Sequence, residues 1–233
     1  MRVGAMTHVG QVRTLNEDGY LIKDSILAVA DGMGGHQAGE VASSLALQIM
    51  AAWPFDREHP QESLHQAVQQ ANTEIHRLAK GNAELAGMGT TLSVAWIVAE
   101  QAYIAHVGDS RIYKFDGDTI YQLTDDHSVV AELVRSGALS KNEAQIHPHR
   151  NVLTRALGAA PEVSFDMREE SLKVGDILIL CTDGLYSLVS DQELKEVAGT
   201  LTDPQEAAER LVALANARGG HDNITALVAA IGG

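Results

Sequence analysis

Cysteine is almost absent from this chain of 233 residues, which contains only Cys181. A single cysteine cannot form an intrachain disulfide, and this excludes a secreted, disulfide-stabilised scaffold. Long apolar stretches are also lacking. The longest, such as residues 177–181, have the length of a strand, whereas a membrane helix needs about 20 apolar residues. The first residues contain no apolar core of signal-peptide length. We therefore expect a cytoplasmic protein without a membrane partner.

Basic residues are scarce as well. Lys and Arg number 17 against 31 Asp and Glu, so the formal net charge is −14. A chain this acidic does not attract nucleic-acid phosphates, and we expect no nucleic-acid partner. The content of 45% hydrophobic and 21% charged residues is that of a globular protein. Residues 1–233 are predicted to form a single domain. The excess acid serves either solubility or the binding of cations.

Apolar periodicity and turn signals predict the main elements. Helices are predicted over 38–53, about 61–79, 126–136 and 203–218, the last with Asp203 and Glu206 as a capping box. Ser140 with Glu143 predicts another single capped helix before His147. Strands are predicted over 26–30, 91–98, 102–107, 111–115, 119–123, 177–181 and 223–231, with a further extended segment over 20–22. Strands and helices do not alternate regularly, which favours an α+β fold with antiparallel sheets.

Six acidic residues stand at the ends of predicted strands, mostly beside glycine. They are Glu17, Asp18, Asp31, Asp109, Asp183 and Asp222. For any single Asp-Gly pair a turn is the better interpretation, and Asp116-Gly117 is predicted to be one. The run of glycines after Asp31 exceeds what a turn requires. Carboxylates without clustered Cys or His favour Mg²⁺ or Mn²⁺ over zinc.

Motifs for other phosphate chemistry are missing. The chain has no GxxxxGK[ST] loop and no GxSxG elbow. Cys181 does not head a Cys-x5-Arg loop, and Asp116 does not begin a DxDx[TV] motif. These absences point away from covalent catalysis and toward a metal-activated water. Ser110 and Ser128 are interpreted as turn or cap residues, and Arg111 as the partner of an acid.

Seven motifs occur in one order along the chain. They are Arg13-x-x-Asn16-Glu17-Asp18, Val29-Ala30-Asp31-Gly32-Met33-Gly34-Gly35-His36, Gly87-Met88-Gly89-Thr90-Thr91, His106-Val107-Gly108-Asp109-Ser110-Arg111, Leu123-Thr124-x-Asp126-His127-Ser128, Cys181-Thr182-Asp183-Gly184-Leu185 and Gly220-His221-Asp222-Asn223-Ile224-Thr225. Together they resemble the metal-dependent protein phosphatases of type 2C, in particular the bacterial branch. The resemblance implies a four-layer α-β-β-α sandwich, in which two antiparallel sheets lie between helix pairs.

The resemblance also implies a centre of two Mn²⁺ or Mg²⁺ ions, with a third ion beside it. Asp31 would bridge the two ions, and Gly32 would offer its carbonyl oxygen to one of them. The other ligands would be Glu17 on that same ion, Asp183 and Asp222 on the other, and Asp109 with Asp183 on the third, while Asp18 would lie just outside and orient them. An empty cleft of this kind would repel a phosphorylated substrate.

The implied reaction is attack of an activated water on a phosphomonoester. Arg13 would bind the phosphate, for which its guanidinium is well suited. His36 is the candidate general acid, because Met33 stands where many eukaryotic members have histidine. A metal-bound water is the alternative proton source. Residues 136–158 match the flap of bacterial members and are predicted to contact the phosphopeptide.

The resemblance therefore implies a monomeric serine/threonine phosphatase that acts on phosphorylated proteins and opposes a Ser/Thr kinase. Two alternatives remain open from the residues. One is a protein that binds phosphoprotein or metal without turnover, although no ligand carboxylate is missing. The other is a phosphatase for small molecules or phosphotyrosine, since this ligand set reads a phosphate and not the group that carries it.

Overall fold

Strands make up two antiparallel sheets in the computed structural model, which describes residues 1–35 and 38–232. In chain order they are β1 Arg2–His8, β2 Asp18–Lys23, β3 Ile26–Met33, β4 Gly89–Thr90, β5 Leu92–Val98, β6 Gln101–Val107, β7 Arg111–Phe115, β8 Ile120–Gln122, β9 Asp166–Ser171, β10 Ile177–Cys181 and β11 Ile224–Ala230. The helices are α1 Ala38–Ala52, α2 Pro60–Gly81, α3 Val129–Arg135, α4 Lys141–Gln145, α5 Asp183–Tyr186, α6 Asp191–Thr200 and α7 Pro204–Ala217, with a 3₁₀ turn at Ala83–Leu85.

The order of strands differs between the two sheets. The first sheet has the order β1-β11-β10-β7-β8, so strands from the two ends of the chain lie side by side. The second has the order β2-β3-β5-β6-β9, with the short β4 paired to the end of β3. The two sheets therefore each combine early and late segments of the chain.

Three buried apolar clusters define the layers. One lies between the sheets and contains residues of both, such as Val29 and Leu180. A second joins α1 and α2 to the outer face of the second sheet, and a third joins α6 and α7 to the outer face of the first. The predicted α+β fold, a four-layer α-β-β-α sandwich, is confirmed. Within the described residues, no helix is long and apolar enough to cross a membrane.

The predicted helices and strands are present, with shifted ends and some omissions. The segments β1, β4, β9, α5 and α6 were not predicted individually. The helix predicted from 126 begins only at Val129, because Ser128 caps it by accepting from the Ala131 amide. The capping box of Ser140 and Glu143 is confirmed. At α7 the predicted box was wrong, since Asp203 accepts from the Gln205 amide instead.

Strand β1 lies directly against the start of α7. The Ala5 amide donates to Gln205 Oε1 at 3.1 Å, and Gln205 Nε2 donates to the Ala5 carbonyl at 3.1 Å. A Cβ on Gly4 would overlap the backbone of Pro204 and Gln205. Only glycine lets the strand and the helix approach this closely.

We therefore expect Gly4→Ala to lower the free energy of unfolding by about 1–3 kcal/mol, because backbone must move to admit the methyl group. Gly81→Ala is the matched control. Its added Cβ meets nothing within 4 Å at the end of α2, and it should be neutral or slightly stabilising. Urea unfolding of both variants measures the difference, and equal stabilities would contradict the close packing.

Candidate metal centre

All six acidic residues singled out in the sequence lie at one end of the two sheets. Asp18 begins β2 and lies opposite Asp31 in the register with β3. Asp109 lies in the turn between β6 and β7, which leaves the second sheet at the same end as β3. Asp183 follows β10 and Asp222 precedes β11, and these two strands are antiparallel neighbours in the first sheet. The strands thus bring together carboxylates from the two ends of the chain, such as Asp18 and Asp222.

Burial and mutual repulsion raise the pKa values of these carboxyl groups. Burial is the largest cause for Asp31, whose pKa lies well above its ordinary value, and the charges of Asp18, Asp183, Asp109 and Asp222 add to it. Burial likewise raises the pKa of Asp18 to about 7, that of Asp109 to about 8 and that of Asp183 to about 6. The side chains are therefore close enough to interact electrostatically, and the cluster favours the binding of cations or protons.

Asp18 is held by two hydroxyl groups of the first sheet. Thr182 Oγ1 and Thr225 Oγ1 each donate to Asp18 Oδ2 at 2.7 Å. Among the described residues, its other oxygen, Oδ1, is buried without a hydrogen-bond partner, and so is Oε1 of Glu17. Buried oxygens without donors are costly unless a cation or a water meets them.

The neighbourhood of Glu17 explains two glycines, Gly32 of the second motif and Gly39 at the start of α1. The Gly32 amide donates to the Glu17 carbonyl at 3.1 Å, and a Cβ on Gly32 would overlap the Gly39 carbonyl. A Cβ on Gly39, at the start of α1, would overlap the Glu17 carboxylate. Burial raises the pKa of Glu17, while the charge of Arg13 opposes that shift. Glycine at both positions lets the helix start close to this acid.

Asp31 is anchored through its backbone. Its amide donates to Thr91 Oγ1 at 2.9 Å, and its carbonyl accepts from the Thr91 amide at 2.9 Å and from Thr90 Oγ1 at 2.9 Å. The Thr91 hydroxyl also bonds Ser110 Oγ at 2.7 Å. Ser110 is fully buried, so its hydroxyl has a structural role, in agreement with the sequence interpretation. The Asp31 carboxylate remains available to the cluster.

Arg13 lies at the rim of the cluster. Its Nη2 donates to Asp222 Oδ2 at 2.8 Å, and half of its side chain is exposed to solvent. The bond to Asp222 is the first cause of the raised pKa of Arg13. Within the part of the chain that the structure describes, Asp222 is the hydrogen-bond partner of this guanidinium, and its other N–H groups can bind an anion that approaches from solvent.

Asn223 is a site residue to which the sequence assigned no role. Its Oδ1 accepts from the Glu17 amide at 2.8 Å, and its Nδ2 donates to the carbonyls of Val9 at 3.0 Å and Leu15 at 2.9 Å. An amide side chain directly after a candidate ligand, Asp222, was the signal that could have indicated it. Thr182 and Thr225, whose hydroxyls donate to Asp18, also lie within the motifs and were likewise assigned no role.

Arg111 pairs with an acid, as predicted. Its guanidinium makes two bonds to Asp126, at 2.9 and 2.6 Å, and a third to the Tyr113 hydroxyl at 2.9 Å. It also lies over the ring of Tyr186, with 3.6 Å between Cζ and the ring centroid. Its donors are therefore engaged within the protein. Ser128 caps α3, again as predicted.

The donor set fits divalent cations such as Mn²⁺ or Mg²⁺. Both prefer oxygen ligands, and the cluster supplies carboxylates, two of them with buried, unpartnered oxygens. In the described ranges, however, no three His, Cys, Asp or Glu side chains are arranged to hold an ion as they stand. Asp222 turns to Arg13, and Asp18 turns to its threonines. Side-chain rotation would be needed on binding. His36 lies outside the described residues.

Known proteins resemble this chain over its whole length. The family model for protein phosphatase 2C matches residues 12–217. A serine/threonine phosphatase, stp, from Listeria innocua is 40% identical over 233 residues, covering 95% of this chain and 92% of the relative. The crystal structure of the serine/threonine phosphatase PstP/Ppp from Mycobacterium tuberculosis superimposes with a TM-score of 0.93 at 37% identity, covering 100% and 99% of the two chains.

A further structure is described as the catalytic domain of the serine threonine protein phosphatase PstP in complex with two manganese ions. It superimposes with a TM-score of 0.89 at 36% identity and covers 98% of this chain and 97% of its own. The family model spans most of the chain, and the fold agrees throughout. The resemblance seen in the motifs is thus confirmed, and the chain belongs to the protein phosphatase 2C family of metal-dependent phosphoprotein phosphatases.

Proposed function

We propose that the chain hydrolyses phosphoserine and phosphothreonine in proteins with the help of two Mn²⁺ or Mg²⁺ ions. The observation that carries this proposal is the group of acids around Asp31, whose charges raise one another's pKa values at one end of the sheets. Such a group is stable in its ionised form only beside cations. The names of similar proteins, serine/threonine phosphatases, and the two manganese ions of one of them support the same assignment.

The proposed metal ligands lie on or beside strands of both sheets, which hold them in place. Asp31 would bridge both ions, with Glu17 and the Gly32 carbonyl on one and Asp183 and Asp222 on the other. Asp18 would orient these groups through its bonds to the two threonines. The charge of Asp183 contributes to the raised pKa of Asp109, so the two carboxylates interact. Asp109 would hold a third ion. Ions bound here would activate a water for attack on phosphorus and neutralise the phosphoryl oxygens.

Arg13 and the solvent face of the site supply the substrate contacts. The guanidinium of Arg13 would bind two phosphoryl oxygens and keep the phosphorus in line with the attacking group. His36 stays a prediction as the donor of a proton to the leaving serine or threonine oxygen. Residues 136–158, which include α4, are proposed to contact the peptide. A Ser/Thr kinase that makes the substrates, a monomeric state and a cytoplasmic location also belong to this proposal.

Asp31→Asn should lower Mn²⁺-dependent hydrolysis of a phosphothreonine peptide by at least about 100-fold, because it removes one charge from the centre of the cluster. Asp116→Asn is the matched control. Asp116 also precedes a glycine, but it accepts from the amides of Asp118 and Thr119 in an exposed turn, so activity should be retained.

The same assay separates the remaining functions when phosphoserine, phosphothreonine and phosphotyrosine forms of one peptide are compared. Hydrolysis of the first two with Mn²⁺, and none with excess chelator, is expected. Preference for phosphotyrosine, or for a small phosphomonoester, would favour the alternative substrate class. Full activity in chelator would contradict the metal centre.

The metal-free protein should lose stability as the pH rises from 6.5 to 8.5. Asp18 and Asp109 have folded-state pKa values of about 7 and about 8, against about 4 in the unfolded chain. The folded state therefore binds more protons in this window, and the free energy of unfolding falls as they leave. The buried His106, whose pKa is lowered to about 4, acts in the opposite direction only below about pH 6.5.

Melting temperatures in chelator at pH 6.5 and pH 8.5 measure this effect. Asp109→Asn should reduce the decrease, and Mn²⁺ should reverse it, because the ions replace the protons. A metal-free protein that melts at the same or a higher temperature at pH 8.5 would be inconsistent with the charged cluster.

Arg13→Ala should lower kcat/KM for a phosphothreonine peptide by about 10- to 150-fold, the value of one or two charged hydrogen bonds. Arg13→Lys should recover only part of this loss, since an ammonium keeps the charge but not the planar fork. Arg77→Ala is the control, because Arg77 is exposed on α2 and pairs with Glu74. Steady-state kinetics on the three variants provides the measurement, and equal values for Arg13→Ala and Arg77→Ala would refute the role.

A further inference from the structure

Three hydrogen bonds of the Asn223 side chain hold the loop between β1 and β2. Asn223 is buried, with 5% of its surface exposed. Its Nδ2 donates to the carbonyls of Val9 and Leu15, and its Oδ1 accepts from the Glu17 amide. One amide thus fixes the beginning and the end of residues 9–17. Because the group is buried, removal of the amide leaves backbone groups without partners.

The loop that Asn223 holds has little packing of its own. Residues 11–15 are exposed, and Arg13 lies at their centre. A second tie, from the Gln11 amide to the Gly220 carbonyl at 2.7 Å, also comes from the segment before β11. An exposed loop with few apolar contacts is ordered mainly by such bonds. The position of the Arg13 guanidinium therefore depends on the segment 220–223.

The backbone of Asn223 touches the remaining ligands. Its amide donates to Asp222 Oδ1 at 2.8 Å. Its carbonyl lies so close to Gly184, the residue after Asp183, that a Cβ on Gly184 would overlap it. A single residue thus contacts the segments that carry Arg13, Glu17, Asp183 and Asp222.

We propose that Asn223 is a positioning residue that sets the phosphate-binding Arg13 and the metal ligand Glu17 in register with Asp183 and Asp222. Phosphate binding and metal binding are then coupled through one side-chain amide. The inference rests on the proposed function, because it takes Arg13 and Glu17 in the roles given there. It predicts that loss of the amide weakens both kinds of binding, beyond any loss of stability.

The test compares Asn223→Ala with Asn72→Ala. Asn72 is equally buried, with 2% exposed, and makes the same kind of clamp: its Oδ1 accepts from the Gly158 amide at 2.8 Å, and its Nδ2 donates to the carbonyls of Ala160 and Pro161 at 3.1 Å. Both variants should melt at lower temperature. Only Asn223→Ala should weaken Mn²⁺ binding to the chelator-treated protein, measured by titration calorimetry, and inhibition by inorganic phosphate, each by about 10-fold.

A double-mutant cycle with Arg13→Ala examines the coupling itself. If Asn223 acts on phosphate through the Arg13 loop, Asn223→Ala should raise the inhibition constant of phosphate about 10-fold in the wild-type background and less than 2-fold beside Arg13→Ala. Additive effects, or equal effects of Asn72→Ala on Mn²⁺ and phosphate, overturn the proposal. A wild-type protein without Mn²⁺-dependent activity would instead contradict the proposed function.

Asn223→Asp keeps the test valid if the alanine variant does not fold. The carboxylate has the same shape and can accept from the Glu17 amide, but it cannot donate to the carbonyls of Val9 and Leu15. We expect phosphate inhibition to weaken about 10-fold in this variant while the protein still melts cooperatively. Unchanged inhibition by phosphate in a folded Asn223→Asp protein also overturns the proposal.

Discussion

Repulsion between buried carboxylates governs the chemistry of this protein. Asp18, Asp31, Asp109 and Asp183 each have a raised pKa, first from burial and then from the charges of neighbouring carboxylates. Protons or cations relieve this repulsion near neutral pH. The fold nevertheless retains it, because strands on both sides hold the side chains in place. Cation binding would contribute favourable free energy that offsets the repulsion between the carboxylates.

The hydrogen bonds around the cluster come from groups without charge. Threonine hydroxyls hold Asp18, and Thr91 fixes the backbone of Asp31. Such donors set the position of a carboxylate while leaving its charge for an ion. Arg13 is different, because it is charged, exposed and bonded to Asp222. Under the proposed function, Arg13 would exchange this partner for an anionic substrate when Asp222 turns to a metal.

Sequence patterns predicted the parts of the fold that carry a strong apolar period. The stripes of α1, α2 and α7 and the apolar strands β3, β5 and β10 belong to this group. Strand β9 was missed because its sequence, DMREES, is mostly charged and lies at the edge of the second sheet. Helix α6 was missed, although its capping box of Ser190 and Glu193 is the same signal that indicated α4.

The sequence singled out acids that the structure brings together, while their roles as ligands stay predictions. Acids beside glycine at strand ends marked Asp31 and Asp183, and their proximity follows from antiparallel pairing. The contacts of Asn223 could not be predicted in this way. Its partners Val9, Leu15 and Glu17 lie more than 200 residues away and use backbone atoms, which leave no trace in the side-chain pattern.

The pairing of β1 with β11 also determines when the site can form during synthesis. Glu17 and Asn223, which are hydrogen-bonded, are 206 residues apart. At about 5–20 residues per second of synthesis, roughly 10–40 s separate their appearance. During that interval the carboxylates near the start of the chain, such as Glu17, lack the late residues of the site, Asp222 and Asn223. Under the proposed function, metal binding at this centre can begin only after the last strand has paired.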